Sequence, residues 1–163
     1  MPRATWSDRA AGRRGRRVTG TDVRRFLTAL CGPQRVSVLR AVVDGIIVRR
    51  TLQRRGLRPL VRDMSGRSAN PDAREVAAAV DAGLGVLPVA PTCLRRSVTL
   101  LRELDRRQIG GTLHIGVRQG PAGIEAHAWV QSGDDVLNDD PVLVRTYSEI
   151  SAGAAERLLP GLE

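Results

Sequence analysis

The sequence predicts an α+β protein: a helical first part, then a small antiparallel sheet. Three observations carry this expectation. Apolar residues up to about Arg106 recur at helical spacing, whereas from Thr112 onward they alternate. Short turn signals such as Ser132-Gly133-Asp134 separate the alternating runs, as in antiparallel hairpins. The length, 163 residues, suits one domain with a real core, or one domain plus an extension.

Composition narrows the class further. No apolar run approaches the roughly 20 residues of a membrane span, so no membrane span is expected. The N-terminus is arginine-rich and lacks the apolar segment of a secretory signal. Two cysteines, Cys31 and Cys93, do not make a disulfide framework, which points to a reducing cytoplasm. Cys and His spacings offer no zinc set, and no cofactor is expected. The net charge of +9 is uneven: residues 1–62 hold 16 Arg and three Asp, residues 63–163 hold 10 Arg and 14 acids. The basic character therefore belongs to the N-terminal part. Every basic residue is arginine, which coding bias explains as readily as recognition.

Three regions follow in order. Residues 1–20, with RAAGRRGRR at their heart, read as a basic, disordered arm. Such an arm can contact phosphates, but no aromatics are interleaved with its arginines, so nucleic acid is not the expected partner. Residues 21–62 read as a helical segment. A short helix from Thr21 to Leu30 opens at Thr21 or Asp22. A longer one runs from Pro33 to about Arg55, with Val36, Leu39, Val43, Ile46, Ile47 and Leu52 as its apolar side. Gly56 is its stop. This segment is expected to cover the core or to offer a surface to a partner. Residues 63–163 hold the candidate chemistry. A polar loop, Met64 to Pro71, precedes a helix from Asp72 to Gly83.

The next helix begins at Cys93, with Leu94, Val98, Leu101 and Leu104 on one face. Thr92 is its cap, and Pro91 precedes it. Cys93 thus lies in the first turn, where unpaired N–H groups and the helix dipole favour a thiolate, the nucleophilic form.

Beyond the glycine-rich connection Gln108 to Gly111, Leu113, Ile115 and Val117 alternate with Thr112, His114, Gly116 and Arg118. The apolar face is expected to cover the helix, which leaves His114 on the far side. A loop from Gln119 to Glu125 leads to a strand from Ala126 to Gln131, with His127, Trp129 and Gln131 on one face. A three-residue turn would pair His127 with Asp139 and Trp129 with Leu137. A two-residue turn would bring Asp140 opposite His127, making Asp140 the runner-up. Asn138 falls on the other face. In the favoured register His127 is the base towards Cys93, and Asp139 holds its other nitrogen. The N–H of Cys93 or Leu94 can serve as one oxyanion donor. Pro141 ends the strand, Val142, Val144 and Tyr147 can add a strand or a helix start, and Ser151 to Leu159 reads as a last helix.

The segments CLRRS, LHIGVR, AHAWV and VLND resemble the transglutaminase-like cysteine peptidases of lasso peptide biosynthesis, the peptidase half of the B protein. The resemblance spans about Pro71 to Tyr147. It implies a transglutaminase-like, papain-like core with the cysteine at a helix N-terminus packed on the sheet. It also implies Cys93 as nucleophile, His127 as base and Asp139 as third member. Such enzymes remove the leader from a ribosomal precursor peptide. The implied partners are that precursor, a leader-recognition protein and an ATP-dependent cyclase that closes the macrolactam. Two other readings fit the residues: acyl transfer to an amine by the same triad, and a basic binding module on an inactive hydrolase fold.

Overall fold

The computed structural model describes residues 18–57, 60, 70–121 and 123–150. Most of the basic arm, most of the loop after Met64, and the helix expected at Ser151 to Leu159 lie outside the described residues.

Helix α1 spans Gly20–Leu30. Its cap is Thr19, ahead of the expected Thr21 or Asp22. The Thr19 hydroxyl accepts from the Asp22 N–H while the Asp22 carboxylate accepts from Thr19, a reciprocal capping box. Helix α2, Arg35–Arg55, ends at Gly56, whose φ of 71° lies in the left-handed region.

The expected inward face of α2 is turned outward. Val36, Leu39, Val43, Ile46 and Ile47 are exposed, and the buried side is Ser37, Val38, Ala41, Asp44, Gly45 and Val48. Of the six apolar residues predicted to pack, only Leu52 touches the core. The reason is the closeness of the neighbours. A Cβ on Gly83 of α3, the helix Ala73–Gly85, would stand 2.4 Å from the Val38 carbonyl oxygen. A Cβ on Gly45 would stand 2.6 Å from a Leu84 methyl. At these two closest approaches only glycine leaves room, and Val38, Ala41 and Val48 fill the rest of the seam.

Helix α4, Cys93–Arg106, buries Leu94, Val98, Leu101 and Leu104 as the spacing predicts. Charge fixes α2 against it. Glu103 is fully buried, accepts from Ser37 Oγ at 2.5 Å, and pairs with Arg106 and Arg107 at 3.2 and 3.3 Å. Asp44 pairs with Arg106 and Arg102. Each buried carboxylate is thus met by guanidinium groups, the condition under which a charge can be held inside a protein.

The sheet has order β3-β2-β1-β4 and is antiparallel throughout. Strand β1, Thr112–Gly120, pairs with β2, Gly123–Ser132, up to Gly120 opposite Gly123. Both strands therefore extend through the expected loop at Gln119 to Glu125. Strand β3 is only Asp135–Val136. A single helical turn, α5 (Pro141–Val144), leads to β4, Ser148–Glu149, on the far side of β1. The mixed architecture is the predicted α+β class.

Leu113, Ile115, Ala128 and Val130 pack towards the helices. The opposite face carries His114, Gly116, His127 and Trp129, with Val136, Val144 and Tyr147 gathered around the indole. No helix among the described residues is long and apolar enough to cross a membrane.

Gly83→Ala should lower stability by about 1–3 kcal/mol despite alanine's better helix propensity, because the clash is with backbone. Gly45→Ala should cost less, since the two leucine side chains it meets can turn. Denaturant unfolding of both variants checks the order.

Candidate active site

Helix α4 starts at the cysteine because Thr92 takes the Arg95 N–H on its hydroxyl, leaving the N–H groups of Cys93 and Leu94 without intrahelical acceptors. One turn on, Ser97 occupies the same face as Cys93 and donates to the Ala128 carbonyl at 2.9 Å. Ser97 also accepts from the Asn138 amide at 2.9 Å. The first two turns of α4 are thereby tied to the edge of β2.

That edge is open because β3 is short. The β2–β3 turn has two residues, Gly133 and Asp134, so that Gln131 pairs with Val136 and Ser132 with Asp135. The expected three-residue register is not formed. Val130 takes Leu137 opposite it, with the Leu137 N–H donating to the Val130 carbonyl at 3.0 Å. Trp129 stacks on His114 instead of pairing with Leu137. A regular ladder would next place Asp140 opposite His127. The chain peels away first: the Asn138 side-chain oxygen, not a backbone carbonyl, takes the Val130 N–H at 2.8 Å. Asp140 turns outward to cap α5 through the Val142 N–H.

The departure brings Asp139 to His127. His127 Nε2 and Asp139 Oδ2 are 2.5 Å apart, and both side chains are almost wholly buried. Cys93 lies beside the same ring, and the three side chains share one cleft. The three predicted residues are brought together, although Asp139 arrives by the end of a ladder and not by cross-strand pairing. His127 and His114 share a sheet face, contrary to the parity argument that set His114 aside. What separates them is position. His127 is two residues nearer the hairpin, beside the edge where α4 begins, whereas His114 lies inside the sheet and pairs with Glu149 at 3.1 Å. Trp129 and Tyr147 wall the His127 ring, with centroids 6.2 and 5.2 Å away.

Burial disfavours charge on the ring, yet the hydrogen bonds to Asp139 and Cys93 outweigh it and raise His127 to about 9. Burial likewise pushes the Cys93 thiol up, but the His127 hydrogen bond and charge, with the Ala128 and Leu94 amides, bring it below the ordinary thiol value. Both directions favour a thiolate–imidazolium pair. A small cleft opens onto it, lined by Pro91, Cys93, Arg96, His127, Ala128, Asn138 and Asp139. Arg96 is buried there and pairs with Asp81 of α3. Cys31 is exposed and unbonded to Cys93, and no cluster of three or more metal-ligating side chains occurs among the described residues. The sequence reading missed Ser97, Asn138 and Arg96. For Ser97 the signal is its place four residues after Cys93, which puts both on one helix face.

A sheet-packed helix thus opens on a half-buried cysteine, beside a histidine held by a carboxylate. The chain belongs to the transglutaminase-like superfamily, which residues 35–152 match. That superfamily contains cysteine proteases and acyltransferases. No curated protein and no solved structure matches the chain.

Alkylation of Cys93 by iodoacetamide should show its inflection below the ordinary thiol range, and His127→Ala should move it upward. Asn138→Ala should cost about 1–3 kcal/mol, because it strands the buried Val130 N–H, and unfolding curves measure that loss.

Proposed function

We propose that this chain is a cysteine endopeptidase that removes the leader from a ribosomally made precursor peptide during lasso peptide maturation. The observation that carries this reading is the contact of His127 with Asp139 on one ring nitrogen, with Cys93 beside the same ring. The match to the transglutaminase-like superfamily supports the chemistry. The likeness of CLRRS, LHIGVR, AHAWV and VLND to lasso leader peptidases supports the substrate.

In the proposed reaction the Cys93 thiolate adds to the carbonyl carbon at the leader–core junction. The oxyanion that forms takes up hydrogen bonds from helix-start N–H groups of Cys93 and Leu94. The intermediate collapses as the His127 imidazolium gives its proton to the departing amine, which frees the core and leaves the leader as a thioester on Cys93. Neutral His127 then takes a proton from water. The hydroxide adds to the thioester, the C–S bond breaks, and the leader leaves as a carboxylic acid that gives its proton to solvent, with the Cys93 thiolate and the imidazolium restored. Asp139 orients the ring throughout and stabilises its charged form. In this account the precursor is delivered by a leader-recognition protein, and an ATP-dependent cyclase takes the freed core. Were an amine to replace water in the second step, the same groups would perform acyl transfer.

The test combines the chain with a precursor and its leader-recognition protein and follows product mass. Hydrolysis gives leader and core whose masses sum to precursor plus one water, whereas acyl transfer gives an amide. Cys93→Ala should abolish cleavage while keeping the fold, and full cleavage by that variant would overturn the proposal. Turnover should fall as pH rises through about 9, where His127 loses its proton and the leaving amine its acid. Alkylation of the thiolate should persist across the same range. Asp139→Asn should lower the cleavage rate by about 10²–10⁴-fold, judged from the range for a general acid–base group.

A further inference from the structure

The structure assigns a second functional surface, the outer face of α2, and we infer that it docks a protein whose contact surface is apolar and bordered by carboxylates. The inference is independent of the catalytic reading. Val36, Leu39, Val43, Ile46 and Ile47 fall within an arc of about 100° at 100° per residue. Each is 43–56% exposed. Single exposed apolar residues are ordinary; five on one face of a single helix make a contiguous strip, the usual mark of an interaction site. The inverted burial of α2 sharpens the point. Val38, Ala41 and Val48 already face the protein with Ser37, Asp44 and Gly45, so the five exposed residues form a second apolar face that serves no packing within the described residues.

Charge selects the occupant. Asp22 and Asp44 are the only acids between residues 18 and 57, and both are buried. The exposed charges that α2 itself sets beside the strip are therefore all positive: Arg35, Arg40, Arg49, Arg50 and Arg54. An apolar centre with an arginine rim is the composition of a protein interface, and it is complemented by an apolar surface with an acidic rim. A second copy fits poorly, since symmetric apposition sets arginine rim against arginine rim. A lipid surface fits less well than a protein, because helices that lie in the headgroup region carry Trp or Phe beside Leu. This strip has neither. Nucleic acid would meet the arginines but leave the strip uncovered. None of the five apolar residues lines the Cys93 cleft.

The probe is a synthetic helical peptide with a leucine stripe flanked by glutamates, compared with the same peptide flanked by lysines. Fluorescence anisotropy with the full chain should show saturable binding of the glutamate peptide only. Val43→Asp with Ile46→Asp should weaken it by about tenfold or more. Arg50→Glu with Arg54→Glu should also weaken it, with far-UV circular dichroism of each variant matching the parent. Equal binding of both peptides, or of neither, overturns the inference. Self-association in sedimentation that is lost in Val43→Asp reassigns the face to a second copy and overturns it. Tighter binding to mixed phosphatidylserine–phosphatidylcholine vesicles than to the peptide overturns it in favour of a membrane.

Discussion

Helix α4 lies on the apolar face of the sheet with its first turns at the edge of β2, where the hydrogen bond from Ser97 to the Ala128 carbonyl fixes it. A helix laid only across the apolar face would have its first turn on the wrong side for His127, which projects from the opposite face. The edge resolves the difficulty. From it, a residue of either face can reach the helix start, so Cys93 packs against the cluster that holds Leu94 and Ile115 yet shares a cleft with His127. Asn138 closes the arrangement by bonding Val130 with one end of its amide and Ser97 with the other. Its burial is tolerable because both ends are satisfied.

Behind the site, the molecule holds α4 with charge as much as with apolar contact. Glu103 and Asp44 sit between α2 and α4 with arginines on several sides. Such groups add little net stability compared with apolar residues of the same shape, but losing one partner is costly. Their directional demands fix the rotation of α2. That rotation leaves Val36, Leu39, Val43, Ile46 and Ile47 facing solvent, so the buried charges and the exposed strip are two sides of one arrangement.

Much of this was legible in the chain. The cap at Thr92, the apolar face of α4 and the strands from Thr112 all follow from local pattern. The less legible parts depended on neighbours. Periodicity finds the apolar stripe of α2 but cannot say which way it points, since Gly45 and Gly83 set how near the helices approach. Strand parity gave the right aspartate for a mistaken reason: the turn has two residues, and Asp139 reaches the ring because the ladder stops. No alternation rule encodes that stop; it depends on Asn138 standing in for backbone.

The brevity of β3 has its own consequence. In an unbroken ladder the Ala128 amide would be spent on a neighbouring strand, as every interior sheet amide is. Here that amide is left at the edge beside Cys93, and it is one of the groups that hold the thiol below its ordinary value. Sheet extension and thiol acidity thus draw on the same amide, and a chain that zipped up two residues further would possess a tidier sheet and a less acidic thiol.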